Sequence, residues 1–189
     1  YAGPGSTSES RQLQKRVLRY IATELERRSS RPHDTFPQLF VLVDGFATLR
    51  ESYSDVADMS LLESFYQVWA KGPAVGIHCV ATTTRLKALP PAISDLTGQK
   101  WLYQLADSSE YHPTVDKDNR PANLPGRFVS TTRAHHGHVG LPDDIDAVIA
   151  AINEFWGADG LPPLVQEFPK RVEPEQVVSH LALGDEKWQ

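Results

Sequence analysis

Residues 38–45 read QLFVLVDG, and this stretch sets the fold class. Leu39 to Val43 is an unbroken apolar run rich in branched side chains. Such a run predicts a strand buried on both faces, as in a parallel sheet covered by helices. The run ends at an acid, so Asp44 is expected at the carboxyl end of a buried strand, where open parallel sheets place their ligand crevice. Downstream, residues 77–85 (IHCVATTTR) form a second strand candidate with a polar end, and residues 100–107 (KWLYQLAD) a third that ends in another acid. Helical stretches lie between them: residues 61–71, stopped by Gly72, and a shorter segment from Pro90-Pro91 to Leu96. Strand and helix alternating at these spacings predict an α/β fold with parallel strands. Beyond residue 107 a turn-rich loop (PANLPGR, 121–127) leads to a strand from Arg127, and residues 143–156 form a helix with acids at its start and Gly157 after its end.

Working outward to the amino-terminal side, Leu13, Val17, Ile21 and Leu25 recur every fourth residue and place an apolar stripe on a helix over residues 11–28. Arg11, Lys15, Arg16, Arg19, Arg27 and Arg28 lie off that stripe. They read either as a solvated face or as a basic surface for nucleic acid or an acidic partner. Residues 29–37 (SSRPHDTFP) break the helix. Residues 1–10 are small and polar and are set aside as a tag or flexible lead-in. The last segment, 161–189, is proline-spaced at its start and is expected to be an extended tail or a linker to a next module.

Composition removes several classes. The 189 residues are 40% hydrophobic and 23% charged, which suits a globular domain and excludes collagen-like and wholly disordered chains. The lone Cys79 excludes a disulfide framework within the chain. No apolar run approaches the roughly 18 residues of a membrane span. A net charge of -5 argues against the chain as a whole acting as a clamp for nucleic acid. No glycine is followed by lysine, so the phosphate-cradling loop GxxxxGK[ST] is absent from the sequence. No GxSxG nucleophile elbow occurs either.

Five segments in order carry a family resemblance: LFVLVDGFATLRE (39–51), GPAVGIHCVATTTR (72–85), LTGQKWLYQLADSSEY (96–111), LPGRFV (124–129) and LPPLVQEFPKRV (161–172). Together they resemble the FtsK/SpoIIIE family of RecA-like ATPase domains, most of all the tandem ATPase domains of the EccC/EssC proteins of type VII secretion. The resemblance implies a RecA-like, P-loop NTPase-type parallel sheet flanked by helices, without its amino-terminal Walker A part. It implies that residues 11–160 are the carboxyl-terminal part of one such module and that the chain is cut from a longer protein. Asp44 would be the Walker B acid that holds Mg2+ through water beside ATP. Thr82, Thr83, Thr84 and Arg85 would be sensor or nucleotide-facing residues, with Arg85 reading equally as a trans-acting finger or as a salt-bridging arginine. Arg127 would face nucleotide or merely bracket the Pro125-Gly126 turn.

The departures point to a degenerate site. Active motors of this type follow the Walker B Asp with a second acid that polarises the attacking water, and here Gly45 follows. A positioned general base is worth roughly 10² to 10⁴ in rate. Glu51 reads as a substitute base or as a surface acid on the next helix. The resemblance further implies neighbouring ATPase modules, a homo-hexamer, a secreted protein as substrate and a cytoplasmic place in a membrane-anchored bacterial protein. The alternative is part of an active DNA-translocating motor. His135, His136 and His138 invite a metal reading, but adjacent positions diverge and no Cys or acid stands at a ligand spacing, which leaves an exposed loop. His78 and Cys79 are expected in the core, one of them facing the crevice.

Overall fold

The structure is a computed structural model that describes residues 8–111, 115–132 and 135–156. The proline-spaced segment 161–189 and residues 1–7 lie outside the described residues. The chain begins with helix α1 (Ser8–Ser29), followed by strand β1 (Leu39–Val43), helices α2 (Phe46–Ser52) and α3 (Val56–Lys71), and strand β2 (Ile77–Ala81). A short helix α4 (Pro91–Ser94) leads to strands β3 (Trp101–Leu102), β4 (Arg127–Ser130) and β5 (His136–His138) and to helix α5 (Ile145–Trp156).

Two sheets result. β1 and β2 pair in parallel with Leu39 opposite Ile77 and Val43 opposite Ala81. Successive side chains of a strand point to opposite faces. Leu39, Val41 and Val43 of β1, with Ile77, Cys79 and Ala81 of β2, accordingly pack on two linked clusters beneath the sheet. One is built from Leu18, Phe46, Phe65, Trp69 and Ile93, the other from Ile21, Leu25, Val68 and Ile77. α1 delivers its expected stripe, and α3 contributes Leu62, Phe65, Val68 and Trp69. Phe46, Phe65 and Trp69 meet edge to face with centroids near 6 Å apart (6.2 and 6.1 Å), the arrangement that aromatic quadrupoles favour. The Trp69 indole nitrogen donates to Thr97 Oγ1 at 3.1 Å, so its polar edge is satisfied.

Among the described residues, helices cover one face of this sheet. On the other, Phe40, Leu42 and Val80 stand 62%, 76% and 52% exposed. The expectation that β1 is buried on both faces is therefore corrected: its apolar run alternates between a packed and an open side.

The second sheet has the order β3-β4-β5 and is antiparallel throughout. The α/β class holds, but residues 100–107 do not extend the parallel sheet as a third parallel strand. Only Trp101 and Leu102 form a ladder, opposite Ser130 and Val129 of β4. An apolar run encodes burial and not the direction of its partner. Leu102, Val115 and Val129 form a third small core under this sheet. α5 starts as predicted, with Asp144 Oδ1 accepting the Ala147 amide at 2.9 Å as an N-cap.

α1 is tied down by charge as well as by its stripe. Lys15 Nζ is 2.6 Å from Asp58 Oδ1, and Arg11 reaches Asp58 Oδ2 at 3.0 Å and the Ser52 carbonyl at 2.6 Å. Arg28 is buried with Glu24. Its Nε donates to Glu24 Oε1 at 2.6 Å, and Nη1 donates to the carbonyls of Pro37, Val75 and Gly76 at 2.9, 3.1 and 3.2 Å. One guanidinium thus joins the end of α1 to the entries of both β1 and β2. Much of the basic face predicted for α1 is spent inside the molecule and is not a free surface for nucleic acid.

Candidate functional site at the ends of the parallel strands

β1 and β2 end side by side, and their exits are stitched together. The Thr82 amide donates to the Val43 carbonyl at 2.9 Å, and the Phe46 amide donates to the Thr82 carbonyl at 2.8 Å. Between these backbone bonds the Thr82 hydroxyl donates to Asp44 Oδ1 at 2.6 Å and accepts from the Gly45 amide at 2.9 Å. Asp44 and Thr82 are exposed, so the pair faces the solvent at the carboxyl edge of the sheet. This is the position at which parallel sheets present catalytic and ligand-binding groups.

Gly45 makes the exit turn with φ +76° and caps the start of α2. The space around it is open, since an added Cβ would meet nothing nearer than Thr48 Oγ1 at 3.9 Å. The backbone is what favours glycine here: a left-handed φ is costly for side chains with a Cβ. An acid directly after Asp44 would have to adopt that conformation.

The other residues singled out from the sequence are distributed unevenly. Thr83 turns inward on its own loop: its hydroxyl donates to the Arg85 carbonyl at 3.1 Å, and the Arg85 amide approaches it at 3.4 Å. Thr84 and Arg85 are exposed beyond β2, and the Arg85 guanidinium makes no hydrogen bond or ion pair among the described residues. Arg127 opens β4 in the other sheet, opposite His138, and no hydrogen bond or ion pair joins it to Asp44. Glu51 is exposed near the end of α2. The structure therefore brings Asp44, Gly45 and Thr82 together, with Thr83, Thr84 and Arg85 on the adjoining loop, and leaves Arg127 and Glu51 outside that contact.

Mg2+ and ATP can be tested against this geometry. Asp44 offers a solvent-facing carboxylate held by one hydroxyl, which suits a metal carried through water. No lysine-bearing glycine loop occurs in the sequence to cradle phosphates, so the residues present fit the metal side of such a site and not the phosphate side.

His136 and His138 belong to β5 and not to a loop, and the His138 ring nitrogen donates to the Pro125 carbonyl at 2.9 Å. Among the described residues no group of three His, Cys, Asp or Glu side chains is arranged to hold a metal. Cys79 packs between the two main clusters, and burial pushes its thiol up to about 11. His78 takes the open face instead, stacked on Phe40 at 5.3 Å with its Nε2 2.6 Å from Gln38 Oε1.

Comparison with known proteins agrees with this architecture. No family model matches the chain. It is 28% identical over 167 residues to the ESX-4 secretion system protein EccC4 of Mycobacterium tuberculosis, a match covering 88% of this chain and 12% of the relative. It is 30% identical over 155 residues to the ESX-1 secretion system protein EccCb1 of the same organism, covering 78% of this chain and 25% of the relative. A solved structure of Thermomonospora curvata EccC, comprising ATPases 2 and 3 in complex with a signal sequence peptide, superposes with a TM-score of 0.62 at 28% identity. That match covers 83% of this chain and 30% of the other. The chain belongs to the EccC family of type VII secretion ATPases. The cytoplasmic domain of the Thermomonospora EccC, at 24% identity and a TM-score of 0.68, supports the same fold. The FtsK/SpoIIIE-type resemblance read from the sequence thus holds at the level of the EccC/EssC proteins. The chain spans only 12% of EccC4 and 25% of EccCb1. No described helix is long and apolar enough to cross a membrane.

Proposed function

We propose that this chain is the Walker B and sensor-strand part of a nucleotide-degenerate ATPase domain in a type VII secretion coupling protein. In that reading it supports ATP-driven protein export by assembly or regulation and not by its own hydrolysis. The observation that carries it is Asp44 at the end of β1, locked by Thr82 and followed by Gly45 at φ +76°. The metal-side acid is kept, while the next position has glycine's conformation and no carboxylate.

Residues 11–160 would form the module and 161–189 its connection to a next one. Thr82, Thr83, Thr84 and Arg85 would line the nucleotide side. Arg85, exposed and with its guanidinium unpartnered among the described residues, suits a residue that reaches a neighbouring module or a second copy in a hexamer. Arg127 belongs to the site only if such a neighbour completes it. The working place is the cytoplasmic side of an anchored protein, with a secreted protein as cargo. Its relatives are secretion proteins, and the contacts of Arg11, Lys15 and Arg28 within the fold take those three cations from the α1 face that the DNA-motor alternative would use.

The test is to titrate the purified chain with MgATP and follow binding and phosphate release. The expected result is no turnover and no binding tighter than millimolar that is lost in Asp44→Ala. Turnover that vanishes in Asp44→Ala would overturn the proposal.

A further inference from the structure

The three-stranded sheet carries an exposed aromatic surface that the reading above does not use. Trp101 of β3 and Phe128 of β4 stack with centroids 4.6 Å apart and planes 17° from parallel, and Tyr103 leans on Phe128 at 5.8 Å. These rings sit opposite the face that buries Leu102 and Val129. Trp101 nevertheless remains 49% exposed and Tyr103 41%. Gly137, opposite Phe128 on β5, lets the ring lie flat, because a Cβ there would run into it.

Trp101 and Phe128 line an open cleft of about 490 Å³, within the range of small-molecule sites. Gln99, Ser130, Thr132 and His135 also line it, with the Thr132 hydroxyl donating to the Gly98 carbonyl at 2.9 Å, and among the described residues its lining contains no carboxylate. A broad π face calls for a flat ring. An amide, two hydroxyls and an imidazole around it call for a ring whose edge carries both donors and acceptors, which a benzene or an alkyl group lacks. A wall without carboxylates tolerates a ring attached to phosphate.

We propose that this cleft binds a purine base, stacked on Trp101 with its edge toward Gln99, Ser130 and His135. The base can belong to a mononucleotide or to an unpaired nucleic-acid strand. The cleft lies on the other sheet from Asp44, so base binding does not depend on the metal-side acid and stands apart from the proposed function.

The test is a fluorescence titration of the chain with adenosine, AMP, a short single-stranded oligodeoxyadenylate and N-acetylphenylalaninamide. Affinities are checked by equilibrium dialysis. Adenosine should quench the emission saturably, and Trp101→Phe should remove that quench while Trp69, Trp156 and Trp188 remain. Loss of one base stack is worth roughly a five- to hundredfold fall in affinity, which Trp101→Ala should show by dialysis. Phe128→Leu should weaken binding in the same direction. Equal affinity per base for AMP and oligonucleotide assigns the cleft to mononucleotides. An oligonucleotide preference of tenfold or more assigns it to a strand, and either outcome supports base binding. No saturable quench by adenosine, an equal response to N-acetylphenylalaninamide, or unchanged dialysis affinity in both ring variants would overturn it.

Discussion

The Thr82 hydroxyl lies 2.6 Å from Asp44 Oδ1 and 2.9 Å from the Gly45 amide. One side chain of β2 thereby fixes both the acid that ends β1 and the turn that follows it. Thr82→Val keeps the shape and removes both bonds. Hydrogen bonds of this kind contribute about 1 kcal/mol net each, and exposure lets water replace part of that. We expect a loss of about 1 kcal/mol, read as a lower urea midpoint with an unchanged slope. A midpoint equal to wild type would show that the lock contributes nothing to stability.

Gly45 invites the opposite experiment, restoring the missing acid. Gly45→Glu has room for its Cβ but must hold φ +76°, at a cost of roughly 1–2 kcal/mol. Gly45→Asn should cost less, because asparagine enters the left-handed region more readily. The ranking Gly, Asn, Glu in urea unfolding checks this, and equal stabilities would contradict the conformational argument.

Arg28 carries a heavier load. Arg28→Met leaves the carbonyls of Pro37, Val75 and Gly76 without that donor and takes one cation from the buried Glu24 carboxylate, which Arg27 still contacts at 2.7 Å. Removing one member of a buried pair costs about 3–5 kcal/mol, and the remaining Arg27 contact places the expectation at the lower end. Chemical denaturation measures it directly. The double change with Glu24→Gln should be less damaging than the sum of the two single changes, since each removes the other's reason for being charged.

The same network sets a pH dependence. Glu24 is held below its ordinary range first by the hydrogen bond from Arg27, then by Arg28, against the opposing effect of burial. Asp58 is lowered first by Lys15 and then by Arg11. A carboxyl with a depressed folded-state pKa contributes stability that is fully present above its unfolded value, about 4 for these groups. That contribution is lost as the pH falls through the folded value. Urea midpoints should therefore be flat from neutral pH down to about 5 and then fall, and Glu24→Gln should make the fall shallower. A midpoint that rises on acidification would refute the assignment.

The parallel core was legible because two short runs rich in branched apolar residues, each ending in polar side chains, admit few other readings. Asp44 and Thr82 were both identifiable as strand-end residues. Their contact was not, because they are 38 positions apart and only the register of Val43 opposite Ala81 brings them together. The open face of Phe40, Leu42 and Val80 was hidden for a related reason: a run apolar at every position looks the same whether one face is covered or two. The second sheet was read in the wrong direction because LYQLAD supplies hydrophobicity and no information on partner orientation. The buried Arg28 and Glu24 pair had a usable signal, the (i, i+4) spacing of opposite charges on α1, but a helix rich in arginine draws attention to its surface.

Cys79 allows a check of how tightly the two clusters close on β2. Its thiol is half-buried between α1 and α3 and pushed up to about 11. Since the thiolate is the reactive form, only about one part in a thousand would be ionised at pH 8. Burial then restricts access further. A disulfide reagent should react with the native chain far more slowly than with the urea-unfolded chain, where the thiol returns to its usual value. Because Cys79 packs with both clusters, Phe65→Ala, which opens a cavity in one of them, should raise the native rate together with its expected loss of about 3–5 kcal/mol. Rapid modification of the wild-type native chain would mean that β2 is not sealed against the helices as the packing describes.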